Sequence, residues 1–208
     1  MENFNVYFTE KFEEPIDQKD LHIVVLGKGG EEGTFADLAE EVCKDKKIKY
    51  NLINVDEAWI SQKDVEIGKV TIQNADGKDA SVEIETHNSI IFVRAGAIGT
   101  LAAQAIVSSL QVIGFFLVND LESMLACDNK MSNVIMLERN NIPTPRSSIL
   151  SNKKSIEDAH KRIGGKFPVI IKTLTGTQGV GVSKVNDMAS LVSVAQSLWK
   201  FDAQILIQ

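Results

Sequence analysis

Pro168-Val-Ile-Ile-Lys-Thr-Leu-Thr-Gly-Thr-Gln-Gly-Val-Gly-Val182 decides how this chain reads. Val169, Ile170 and Ile171 make a short apolar run of the kind that forms a buried strand. Lys172 ends the run, and a lysine is tolerated there only if its ammonium reaches water or an anion. Gly176, Gly179 and Gly181 follow, interleaved with Thr175, Thr177 and Gln178. Glycines let a backbone approach a ligand closely, and successive N–H groups in such a loop can surround a phosphate. The pattern therefore predicts strand, loop and returning strand. Two chemistries stay open: a phosphate cradle charged by Lys172, or a glycine-rich hairpin with a snorkelling lysine. It is not a Walker loop, because no Gly-Lys-Ser/Thr opens a helix here.

Toward the N-terminus, strands and helices alternate. Leu21 to Leu26 reads as a buried strand, followed by glycines between Gly27 and Gly33 and a helix from Phe35 to Lys44 with Phe35, Leu38, Ala39 and Val42 on one face. A dinucleotide fingerprint does not fit: the third glycine falls one residue late, and Glu31 and Glu32 would repel a pyrophosphate. Residues 1 to about 20 are acidic and irregular and read as a leader strand or arm. Tyr50 to Val55 is a second strand, with Asp56 and Glu57 at its end. Val65–Gln73 and Ala80–Glu85 alternate around an Asp-Gly turn, a half-exposed hairpin. Ser89 to Arg94 is a third core strand, leading into a helix to Ile113 with Ala102, Ile106, Leu110 and Ile113 as its stripe. Arg94 and Gly96 stand at the junction, either as a carboxylate or phosphate site or with Arg94 tied to Asp56 or Glu57. Phe115 to Val118 is a fourth strand. The alternation indicates an α/β layer domain with a parallel sheet.

Beyond it, Asn119-Asp120 and Asp128-Asn129 are placed to cap two short helices, and Ile142-Pro-Thr-Pro145 enforces an extended segment. Ser147 to Leu150 can be a strand. Ser155-Ile-Glu-Asp158 resembles a capping box opening a helix that Gly164 and Gly165 close. After the glycine loop, Asn186-Asp187 caps a helix to Trp199. Ala203 to Gln208 is an apolar strand with nothing after it to pair with, which reads as truncation or, alternatively, as a sheet edge.

The 208 residues are 44% hydrophobic and 24% charged, an ordinary globular composition. A net charge of −6 argues against a nucleic-acid binder. Cys43 and Cys127 are far apart and without metal spacing, as in a reduced, cytoplasmic protein. No apolar run reaches membrane-spanning length, and the start lacks a signal peptide's features.

From Ser89 onward the sequence resembles the RimK-type ATP-grasp ligases, relatives of glutathione synthetase. Val93-Arg-Ala-Gly-Ala-Ile-Gly-Thr100, Asn119 through Asp128-Asn-Lys130, Ile142-Pro-Thr-Pro145 and the loop core Gly176-Thr-Gln-Gly179 carry the likeness. It implies a Rossmann-like pre-ATP-grasp domain at 1–118 and the first α+β ATP-grasp subdomain at 119–208, with the C-terminal subdomain missing. It also implies ATP-dependent joining of a carboxylate to an amine through an acyl phosphate, for example glutamate added to a peptide or protein. Lys130, Lys172, Gly176, Thr177, Gln178, Gly179 and Gly181 would bind ATP, and Arg94 would hold a substrate carboxylate.

The family's adenine-contacting hinge follows the strand that ends here at Gln208, and its magnesium ligands lie further on. Mg2+ binding is therefore expected from residues beyond Gln208, and the 208 residues are expected to be inactive as a ligase. Two other readings stand beside this one. One is a non-catalytic nucleotide- or protein-binding module; the other is a nicotinamide-dependent enzyme resting on the glycines at 27–33. The apolar end strand offers a surface on which a second copy could pair, so a homo-oligomer is a further expectation.

Overall fold

The apolar runs on either side of the first glycine cluster pair as the alternation requires. In a computed structural model that describes residues 16–28, 35–74, 80–176 and 181–208, four parallel strands form one sheet: β1 (His22–Gly27), β2 (Lys49–Asn54), β7 (Ser89–Val93) and β8 (Phe116–Val118) in the order β2-β1-β7-β8. Helix α1 (Phe35–Lys46) connects β1 to β2, and α2 (Leu101–Ile113) connects β7 to β8. Between β2 and β7 the chain inserts an antiparallel sheet of β3 (Ala58–Trp59), β4 (Val65–Glu66), β5 (Lys69–Asn74) and β6 (Ser81–Glu85).

The insert completes the core. Val70, Ile72, Val82 and Ile84 are buried in one cluster with Val24, Leu26, Ile53 and Ile91 of the parallel sheet and with Ala103, Ile106, Val107 and Leu110 of α2. Period-two alternation in β5 and β6 leaves their other face to water, as the sequence suggested. One detail differs. The run expected to be a single strand from Val65 to Gln73 breaks at Ile67 and Gly68, where a tight turn with φ +72° at Gly68 folds β4 back onto β5. The turn expected at Ala75–Lys78 lies outside the described residues, as do the arm at 1–15 and the cluster from Gly29 to Thr34.

One helical stripe is rotated from its expected position, and a second, with Ile106 and Leu110 buried as expected, differs at one residue. On α1, Cys43 is buried while Leu38 and Val42 are exposed. The Tyr50 hydroxyl donates to the Ala36 carbonyl at 3.0 Å, so the small residues Ala36 and Ala39 turn toward the sheet. On α2, Ala103 rather than Ala102 is buried, in line with Val107 one turn on.

The chain divides into two compact units, Met1–Met124 and Leu125–Gln208, with the boundary inside helix α3 (Leu121–Asp128). The second unit holds α4 (Lys130–Arg139), β9 (Ser148–Leu150), α5 (Ile156–Arg162), β10 (Val169–Thr173), β11 (Val182–Val185), α6 (Met188–Trp199) and β12 (Ile205–Ile207). Its sheet is antiparallel in the order β11-β10-β12-β9. The strand that seemed to lack neighbours is therefore interior: β10 and β9 flank β12, and Ile205, Leu206 and Ile207 are fully buried. The missing-partner argument for truncation falls, and so does the idea that this strand pairs with a second copy. Both partners precede it in the chain by tens of residues, so sequence adjacency concealed them.

Leu150, Ile156, Ile171, Leu191, Ala195, Ile205 and Ile207 form the second core, under α5 and α6. The Ser155 capping box does not form. Asn152 instead caps a single 3-10 turn, Lys153–Ser155, that runs straight into α5, and the Ser155 hydroxyl donates to the Asn152 carbonyl. Asp187 does cap α6, accepting from the Ser190 amide at 2.8 Å. Among the described residues no helix is long and apolar enough to cross a membrane.

Candidate functional site

Alternation along β10 sets the site. Val169 and Ile171 point into the second core, which leaves Lys172 on the opposite face, half-buried, opposite Val182 on one side and Leu206 on the other. The strand ends in the stem of the glycine loop. There the Thr173 amide donates to the Gly181 carbonyl at 3.2 Å, and the Thr173 hydroxyl donates to the Thr175 carbonyl at 2.8 Å. Gly181 has φ +76°, and a Cβ there would stand 2.6 Å from the Thr173 methyl, so only glycine closes this stem without strain.

The junction of α3 and α4 docks on the other side of the stem. The Lys130 amide donates to the Leu174 carbonyl and its ammonium donates to the Gly176 carbonyl, each at 2.9 Å. Asp128 accepts from the Gly176 amide at 3.4 Å. Asn129 caps α4 by accepting from the Met131 and Ser132 amides, which fixes the turn that aims Lys130. Lys130 is thus the first residue of a helix, where the macrodipole disfavours a cation and favours an anion beside it.

The two ammoniums are close enough to act on each other. Burial, and then the charge of Lys130, hold Lys172 below the ordinary lysine range. Among the described residues neither lysine is in an ion pair. The Lys172 ammonium donates to the Gln208 side-chain oxygen at 2.5 Å, and the Gln208 amide nitrogen donates to the Ser147 hydroxyl at 2.9 Å. Two cations of like sign that act on each other and, among the described residues, are held by neutral acceptors make a positive patch that an anion would neutralise.

Of the residues singled out in the sequence, Lys130, Lys172, Gly176 and Gly181 are brought together here. Thr177, Gln178 and Gly179 lie outside the described residues. Arg94 is in the first unit. It follows β7 at the carboxyl edge of the parallel sheet, with its guanidinium 4.7 Å from the centre of the Phe35 ring. Phe35 packs in turn on Phe92. Lys28 leaves the neighbouring strand β1 at the same edge and pairs with Asp56 at 3.7 Å. The strand order reverses between β1 and β7, the crevice where open α/β sheets hold ligands. Two participants were missed: Asp128, whose neighbour Lys130 drew the attention, and Gln208, read only as the end of an apolar strand. Its alternation with Leu206 places it on the Lys172 face once β12 pairs with β10, a pairing that no local pattern encodes.

Residues 127–208 match the model of the RimK-like ATP-grasp domain. A probable alpha-L-glutamate ligase 2 from Pseudoalteromonas atlantica is 31% identical over 118 residues, covering 57% of this chain and 39% of that protein. A probable alpha-L-glutamate ligase from Vibrio vulnificus is 29% identical over 139 residues, covering 67% of this chain and 46% of that protein. The chain thus spans less than half the length of these curated relatives. Among solved structures, the D-alanyl-alanine synthetase A of Vibrio cholerae superimposes with a TM-score of 0.63 at 17% identity, over 92% of this chain and 60% of that one. A RimK domain ATP-grasp protein from Sphaerobacter thermophilus gives 0.62 at 18% identity, over 89% and 62%. These two show the mixed α/β fold of ATP-grasp ligases. The resemblance drawn from the motifs is borne out by the family match and by these relatives.

Proposed function

We propose, from the premise that residues 127–208 match a RimK-like ATP-grasp domain, that this chain binds the phosphates of ATP as part of a carboxylate–amine ligase. One observation carries the reading: the Lys130 and Lys172 ammoniums are near enough to influence each other, and among the described residues their hydrogen-bond partners are neutral, the Gly176 carbonyl and the Gln208 side chain. A triphosphate would supply the charge that the pair lacks, and Gly176 and Gly181 give the backbone room to approach it. When bound, ATP supplies the phosphoryl group that activates a carboxylate, and an amine then displaces phosphate to form the amide. The contribution of this chain is to align the phosphates and neutralise their charge. By extension from the names of the relatives, glutamate is the proposed amino-acid substrate and a peptide or protein the acceptor, in the cytoplasm, with Arg94 holding a carboxylate.

Among the described residues no three of His, Cys, Asp or Glu gather to hold a metal ion. No step is assigned to the metal. For these 208 residues alone the proposal is nucleotide binding without ligation.

Isothermal titration with ATP tests it. Wild type binds, and Lys172→Ala and Lys130→Ala each bind about tenfold or more weakly, since a hydrogen bond to a charged group contributes roughly 1.5–3 kcal/mol. NAD gives no heat. A wild type that ignores ATP, or a Lys172→Ala variant that binds it as well, overturns the reading. ATP hydrolysis with magnesium by this chain would remove the claim that it does not ligate.

A further inference from the structure

The hydrogen bonds around Lys172 run in one direction. A lysine ammonium only donates, so the Gln208 atom facing it must be Oε1, and Nε2 must then find an acceptor elsewhere. It finds the Ser147 hydroxyl at 2.9 Å, whose own hydrogen goes to the Pro145 carbonyl at 2.9 Å. Each of Lys172, Gln208 and Ser147 donates one bond to an acceptor in the series, so the amide orientation follows from chemistry. Both supports are firm. The Gln208 backbone exchanges two hydrogen bonds with Ile170, at 2.8 and 2.9 Å, and Ser147 lies between the proline segment and β9.

From this arrangement we propose that Gln208 is a positioning residue for Lys172: its amide, locked by Ser147, holds the ammonium in one place on the sheet face while leaving its charge free for a phosphate. The inference rests on the reading of this site as a phosphate site and adds a determinant to it. The side-chain type follows from the task. A carboxylate at 208 would pair with Lys172 and compete with the phosphate for its charge. An apolar side chain would leave the ammonium without an acceptor and free to swing, at an entropy cost on binding. An amide holds the nitrogen in place and cancels none of its charge.

The test separates positioning from mere packing by titrating ATP and adenosine against wild type, Gln208→Glu, Gln208→Met and Ser147→Ala, with circular dichroism to confirm folding. Gln208→Glu and Gln208→Met are expected to weaken ATP by about tenfold or more, the scale of one charge-assisted hydrogen bond. Adenosine, which has no phosphate, is expected to change less than about twofold by the same reasoning. Ser147→Ala, one step removed, shifts ATP in the same direction by less. If both ligands weaken together, Gln208 acts on the base or on the fold and the proposal fails. If ATP binds these variants as it binds wild type while Lys172→Ala abolishes binding, the proposal fails and the phosphate site stands. If wild type does not bind ATP, the site reading fails and the proposal with it.

Discussion

At the scale of single residues, the contacts that shape the site are steric as well as electrostatic. Gly181 has φ +76° and sits where a Cβ would meet the Thr173 methyl at 2.6 Å. Thr173 is β-branched and has little χ1 freedom with which to yield. Gly181→Ala is therefore expected to cost about 1–3 kcal/mol, the range for a strained backbone position. The companion variant Thr173→Ser removes the methyl, so in a double-mutant cycle the alanine should cost measurably less in that background. Equal costs in both backgrounds would mean the stem relaxes some other way. In the first unit, His22 is buried with its Nε2–H donated to the Asn51 side-chain oxygen at 2.7 Å. Burial first, and then the charge of Lys49, pull it from 6.5 down to about 4, against the opposing Asn51 bond. The unfolded chain binds this proton near pH 6.5 and the folded chain only near 4. Between those values the unfolded state holds more protons, so stability falls as pH falls. At 1.36 kcal/mol per pH unit the loss has an upper bound of about 3 kcal/mol. Urea unfolding at pH 7.5 and 4.5 should show it in wild type, and a His22→Gln variant should lose most of the difference.

At the scale of elements, the position of β12 has an energetic consequence. Ile207 and Ile205 are fully buried in the second core, and β12 is flanked on both sides. Ile207→Ala should cost about 2–5 kcal/mol, as large-to-small changes in packed cores do. Val182, 43% exposed at the start of the outer strand β11, should cost under about 1 kcal/mol when cut to alanine. Comparable costs at the two positions would show that β12 is not interior. This strand also marks where the sequence stopped being legible. Runs such as Val169–Ile171 and Ile90–Val93 announce strands because their apolar residues are consecutive, and the glycine loop between β10 and β11 announces itself by composition. Sheet order does not, because β12 joins segments that lie far back in the chain, and no local pattern encodes that. Helix existence was readable on α1 and α2, and on α2 so was most of the packing stripe, with Ile106 and Leu110 buried; on α1 it was not, because Cys43 packs while Leu38 and Val42 are exposed. The lysines of the site were legible from their motifs. The hydrogen bonds that hold them, from Lys172 to Gln208 and from Lys130 to Gly176, come from tertiary pairing and were not.

At the scale of the whole chain, the two units bury different residues in different clusters, one around Val24, Ile91 and Leu110, the other around Ile171, Leu191 and Ile207. Stability in such a chain need not be a single number, because each cluster can open as its own cooperative unit. Leu191 is fully buried beneath α6, and Leu191→Ala removes side-chain contacts from the second cluster alone. The expected loss is about 2–5 kcal/mol for a buried leucine. In native-state hydrogen exchange this should appear as faster exchange at the amides of β10 and β12. The amides of β1 and β7, whose side chains belong to the first cluster, should keep their wild-type rates. Saturating ATP should act on the same amides in the opposite direction, since a ligand bound only to the folded form at a hundred times its Kd stabilises by about 2.7 kcal/mol. Slower exchange in β10 and β12 with β1 unchanged would place the nucleotide and the second cluster in one cooperative unit. A uniform change across all four strands, for the variant and for ATP alike, would mean that the chain unfolds as one body and that the two clusters share their stability.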